Sequence, residues 1–178
     1  MATNQHSAAE APRLEARFER ADDGRTLRVD YAVANPSDQT MLVFDRGDTH
    51  AVVTGRQQAG AIVLPLVSES GGDVTLLHQG VPQSQAGVTL PAIPLVLQVE
   101  AGKGYEGSFV LPLPRLAAGA GRYERVRYCL GLALLDEPLP DYAHFEGGVW
   151  QVRPDLLDAQ QVTCTPWTSL PPARPATP

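Results

Sequence analysis

Asp136, Glu137, Asp141, His144 and Glu146 crowd one Pro- and Gly-rich stretch that runs up to Trp150. Carboxylates converging with an imidazole bind hard cations or divide acid and base roles between them. Asp136, Asp141, His144 and Glu146 therefore form one candidate metal set. Their spacing matches no Ca²⁺ loop, and a solvated acidic loop accounts for the same composition. The stretch is also aromatic. Tyr142, His144, Phe145 and Trp150 combine apolar faces with polar tips, the surface with which loops of a β-sandwich grip a peptide or a sugar. The competing reading makes them, with Trp167, plugs that close one open end of the fold.

A second group, Asp45-Arg46-Gly47-Asp48-Thr49-His50, contains an Arg-Gly-Asp tripeptide and supplies Asp45, Asp48 and His50 as potential oxygen and nitrogen ligands. Three common residues recur by chance, a metal site needs further groups around it, and Gly between charged residues is what an ordinary turn looks like. Ser108, in Glu106-Gly107-Ser108-Phe109, lacks the second glycine of a nucleophile elbow and opens a strand rather than a strand-to-helix turn. No catalytic residue is assigned, no cofactor is implied, and the chain reads as non-enzymatic.

Of the two cysteines, Cys129 lies on the face shared with Arg125 and Arg127, opposite the apolar row of Val126, Tyr128, Leu130, Leu132 and Leu134. Cys164 follows Val162, an apolar residue that marks an inward face. Bridged cysteines on neighbouring strands must point the same way, so two free thiols are expected and no disulfide.

The elements that must position these groups read as strands. Leu14, Ala16 and Phe18 alternate with charged residues, consistent with a first strand, although Leu14 and Phe18 also fit one helix face. Leu27, Val29, Tyr31 and Val33 alternate up to Asn35-Pro36-Ser37-Asp38, which predicts a hairpin to Met41-Leu42-Val43-Phe44, a run apolar at every position and so buried on both faces. Short apolar pieces at Ala51 to Thr54, Ala61 to Val67 and Val74 to Leu77 suggest further strands, with a turn at Glu69-Ser70-Gly71-Gly72. Leu95, Leu97 and Val99 lead through Ala101-Gly102-Lys103-Gly104 to Phe109, Leu111 and Leu113, a second predicted hairpin, with Pro112 and Pro114 marking an edge. Residues 154–161 have room for one helical turn.

With 178 residues, 43% of them hydrophobic, the chain can bury a core without a staple. A net charge of −6 and the lack of a Lys/Arg cluster leave no footprint for nucleic acid or an anionic membrane, and no apolar run is long enough to span one. Arginine-rich, alanine-rich usage points to a high-GC bacterium. The start excludes neither compartment: cytoplasmic if it is native, periplasmic or secreted if a signal peptide was removed.

These signals predict an all-β protein: an immunoglobulin-like antiparallel β-sandwich of about seven to ten strands with at most one short helix. The domain would span 13–168, between a flexible tail at 1–12 and a Pro-rich one at 169–178. The strand, N-P-S-D turn and apolar strand over Thr26 to Phe44, with the stretch Leu95 to Leu113 that contains LQVEAGKGYEGSFVLPL, resemble bacterial Ig-like domains of the intracellular proteinase inhibitor family. That resemblance implies the fold and carries over no functional residue. The expected function is a non-catalytic binding module for a protein or glycan, with the cell envelope as one setting. The alternatives are a protease-inhibitor-like domain, acting through a loop such as Gly80 to Pro91, and a metal-dependent enzyme using 136–146.

Overall fold

The computed structural model describes residues 10–21, 26–81, 92–112 and 123–170. In chain order these form β1 (Arg13–Arg20), β2 (Thr26–Ala34), β3 (Thr40–Val43), α1 (Thr49–Val53), β4 (Leu66–Ser70), β5 (Asp73–His78), β6 (Leu95–Val99), β7 (Gly104–Pro112) and β8 (Arg125–Leu135). A 3-10 turn (Asp141–Ala143), β9 (His144–Phe145), β10 (Val149–Gln151), α2 (Pro154–Asp158), β11 (Gln161–Cys164) and β12 (Thr168–Ser169) follow. The protein is all-β. One sheet has the order β1-β2-β7, and the larger runs β4-β5-β8-β3-β6-β10-β9, with β11 and β12 also bonded to β8. Leu27, Val29, Tyr31, Val33 and Phe109 from the small sheet meet Val43, Val74, Leu76, Val126, Tyr128 and Leu130 from the large one in a shared core.

Several expectations change. There are twelve strands among the described residues, and two short α-helices rather than one. Pairing is antiparallel except for β5 with β8, which run parallel. The apolar piece 51–54 is not a strand but the end of α1 with its C-cap Thr54, because the Asp48 carboxylate accepts the Ala51 N–H at 2.8 Å and caps a helical turn. The segment 13–20 is a strand, in antiparallel register with β2. Leu170, past the expected boundary at 168, lies in the main core.

Neither predicted hairpin forms. β2 pairs with β1 and β7, whereas β3 pairs with β6 and β8, so Asn35-Pro36-Ser37-Asp38 is a crossover between sheets. The 101–104 turn is a second crossover, carrying the chain back from β6 to β7. The two lie side by side and are tied by Asn35. Its backbone N–H donates to Lys103 O at 2.8 Å, and its side-chain amide reaches Gln39 O at 2.8 Å, Glu100 O at 3.2 Å and Val99 O at 3.3 Å. Its Oδ1 accepts the Ser37 hydroxyl at 2.7 Å. Asn35 and Ser37 are buried, so this is not an exposed turn.

Met41-Leu42-Val43-Phe44 is buried on both faces, as its composition demands. Met41 and Val43 enter the main core, while Leu42 and Phe44 join Val96, Ala133, Val152 and Leu157 in a second cluster on the opposite side. The expectation of free thiols is overturned as well: Cys129 and Cys164 are joined in a disulfide, their Cα atoms 4.0 Å apart. They are directly opposed in the β8–β11 register, and opposed residues share a face. The error lay in Val162, which is 48% exposed and so marks the outward face of β11.

Candidate functional site

The loop before Trp150 does not assemble the candidate metal set. Among the described residues no group of three His, Cys, Asp or Glu side chains is placed to hold an ion. Asp136 instead accepts a hydrogen bond from Gln39 Nε2 at 2.6 Å, and Asp141, His144 and Glu146 are exposed. Of the aromatic candidates, His144 and Trp150 come together, directly opposed between β9 and β10 with ring centroids 5.1 Å apart, edge to face. Trp150 packs against the second core cluster, which makes it a plug. Phe145 is half-buried, and Tyr142 is 85% exposed on the 3-10 turn. Trp167 stacks under two guanidiniums, Arg127 at 4.5 Å and Arg125 at 5.3 Å from its ring centre.

The Arg-Gly-Asp tripeptide is folded inward. Arg46 is buried and Asp48 is committed to capping α1. Ser108 sits on the outward face of β7, opposite Asp30. Most of the loop Gly80 to Pro91 lies outside the described residues.

What sequence reasoning missed is a buried polar cluster between the sheets. Asp45 follows the doubly buried strand β3 and is fully enclosed. The Tyr31 hydroxyl donates to its Oδ2, and Arg46 Nε stands 3.0 Å from its Oδ1, close enough for ion pairing though not aligned as a hydrogen bond. Arg46 also donates to the Tyr105 hydroxyl at 2.5 Å and to Gly60 O, while its own carbonyl accepts from Gln57 Nε2 at 2.5 Å. Tyr31 lies over Gly107, where a Cβ would come within 2.4 Å of the ring. Deeper in, His78 Nδ1 is 2.7 Å from the Tyr128 hydroxyl and Nε2 is 2.8 Å from Val63 O. A carbonyl only accepts, so Nε2 carries the proton and Nδ1 accepts from the tyrosine.

Burial sets the titration of these groups. It pushes the Tyr31 phenol far above its ordinary range, helped by the charge of Asp45, and lifts the Asp45 carboxyl against the opposing pull of Arg46. It depresses His78 to about 4, so the imidazole is neutral near pH 7. Asp45, Arg46 and His78 are all buried, and Tyr105 is half-buried. The cluster's side chains satisfy backbone groups of the segment 45–63: Arg46 donates to Gly60 O and His78 Nε2 to Val63 O.

The surface feature that stands out is the edge of β4, which among the described residues pairs with β5 alone. All five residues of this strand are exposed, and Leu64 (59%), Leu66 (58%) and Val67 (37%) concentrate apolar area there. The other sheet ends are blunted in recognisable ways. β1 alternates Arg13, Glu15, Arg17 and Glu19, β7 ends in Pro112, β9 and β12 are two residues long, and the four-residue β11 exposes a single large apolar side chain, Val162. β4 carries a single charge, Glu69, whose carboxylate accepts from the Tyr123 hydroxyl at 3.1 Å. Gly71 and Gly72 have φ of 58° and 91°, as a type I′ turn requires. Such a two-residue turn makes Ser70 and Asp73 a bonded pair, and the alternation of an antiparallel ladder then turns the amides of Val67 and Glu69 away from β5.

No protein-family model, curated protein or solved structure matches this chain significantly.

Proposed function

We propose that this chain is a non-catalytic, Ig-like β-sandwich module that binds another protein through the free edge of β4, in an oxidising setting such as a bacterial cell envelope. The observation that carries the reading is the contrast between edges: β4 alone among the described sheet ends combines unpaired backbone with concentrated exposed apolar side chains. Soluble sheets avoid that combination unless the edge is used. Tyr31, Asp45 and His78, whose titration burial shifts most, are enclosed and bonded to the fold itself, which favours binding over catalysis. The aromatic loop residues do not share one platform, which favours a protein partner over a glycan. The disulfide fits an oxidising compartment.

A photo-crosslinking residue at Leu66, with a control at Arg28 on the opposite sheet, tests this in the native host. Adducts of discrete higher mass from position 66 and none from position 28 are the expected result. Adducts from neither position, or equally from both, would contradict it.

A further inference from the structure

Resting on that reading, we propose that β4 accepts a cationic extended segment of its partner by strand addition, with an apolar residue against Val67 and a lysine or arginine against Glu69. The geometry of addition follows from the hairpin. With the Val67 and Glu69 amides turned outward, an incoming antiparallel strand exchanges hydrogen bonds at those two positions and places its side chains directly opposite them. Val67 and Glu69 share the face of Val74 and Leu76, whereas Leu66 and Ser68 share the other. An incoming strand therefore meets an apolar and an acidic position two residues apart on one face, and an apolar and a small polar position on the other.

Charge selects the occupant. Glu69 is the strand's one formal charge and the whole chain carries −6, so a basic residue gains both at the contact and during approach. A second copy of this chain fits less well. Two-fold pairing centred on Glu69 opposes two carboxylates, pairing centred on Ser68 sets each Glu69 against Val67, pairing centred on Val67 sets each Glu69 against Pro65, and two chains of −6 repel.

The test uses the full chain and a fluorescein-labelled peptide with Thr-Lys-Thr-Val-Leu at its centre, beside the same peptide with Glu for Lys. The lysine peptide should bind with micromolar affinity and the glutamate peptide about tenfold more weakly. Glu69→Lys should reverse that order, and Val67→Pro, which removes an outward N–H while sparing the β4–β5 ladder, should abolish binding of both. Equal binding by the Val67→Pro protein, an unchanged preference in Glu69→Lys, or self-association through β4 in light scattering would overturn the proposal. If the lysine peptide does not bind while Leu66 still crosslinks a partner, the cationic strand is wrong and the edge remains the binding surface; if both fail, both readings fall.

Discussion

Leu130 is fully buried in the row that also holds Val126 and Tyr128. Leu130→Ala is expected to cost about 2 to 5 kcal/mol by removing methyl groups and leaving a cavity, measured by urea unfolding; a loss under ~1 kcal/mol would mean the row does not face the core. His78 makes a pH prediction. Its folded value of about 4 lies below the ordinary 6.5, so the unfolded chain takes up a proton first as pH falls. The stability it contributes is complete above pH ~6.5 and is lost as pH drops through the folded value, a change of about 3 kcal/mol in the limit. His78→Gln should flatten the difference in unfolding free energy between pH 7 and pH 4.5; a variant as acid-sensitive as the parent would assign that sensitivity elsewhere. Part of the buried cluster was legible. His78 continues the inward alternation of Val74 and Leu76, and Tyr31 that of Val29 and Val33. What no spacing reveals is that Asp45 and Arg46, adjacent in a polar hexapeptide, close on each other and on two distant tyrosines, since that depends on which strands the fold brings together.

At the scale of elements, the strands themselves were legible because burial on one face imposes period two, and a strand covered on both faces loses it. Leu27 to Val33, buried at every second residue, and Met41 to Val43, buried throughout, show the two cases. Which strands pair was not legible: a turn between two apolar runs looks the same whether it closes a hairpin or steps between sheets. Asn35 is the residue that marks the difference, since a simple turn has no need of a buried side chain bonded to carbonyls 64 and 65 residues away. Asn35→Ala is expected to cost about 2 to 4 kcal/mol, because it orphans several buried backbone groups at once. Pro36→Ala beside it should cost under ~1 kcal/mol. Paired unfolding curves check both, and equal effects would show that Asn35 does not tie the crossovers.

For the whole molecule, the disulfide joins β8 to β11 across a separation of 35 residues. In the chain-entropy treatment, closing a loop of that length stabilises by about 4 kcal/mol. Cys129→Ser with Cys164→Ser should therefore lower the unfolding free energy by roughly that amount, and a non-reducing digest should yield the linked peptide pair. Two labelled thiols in protein purified from an oxidising compartment would contradict the bridge. The bridge was illegible because its detection required the face of β11, and the one apolar residue available to mark it, Val162, points outward.

Binding through the edge of β4 is what we propose this protein does. Amide spectra of ¹⁵N-labelled protein, recorded in buffer and in unlabelled extract of the native host, test it most directly. Signals from Leu66 to Ser70 should shift or broaden in the extract while those of Arg28 and Asp30 on the opposite sheet hold their positions. Unmoved β4 signals beside changes on another surface would contradict the account.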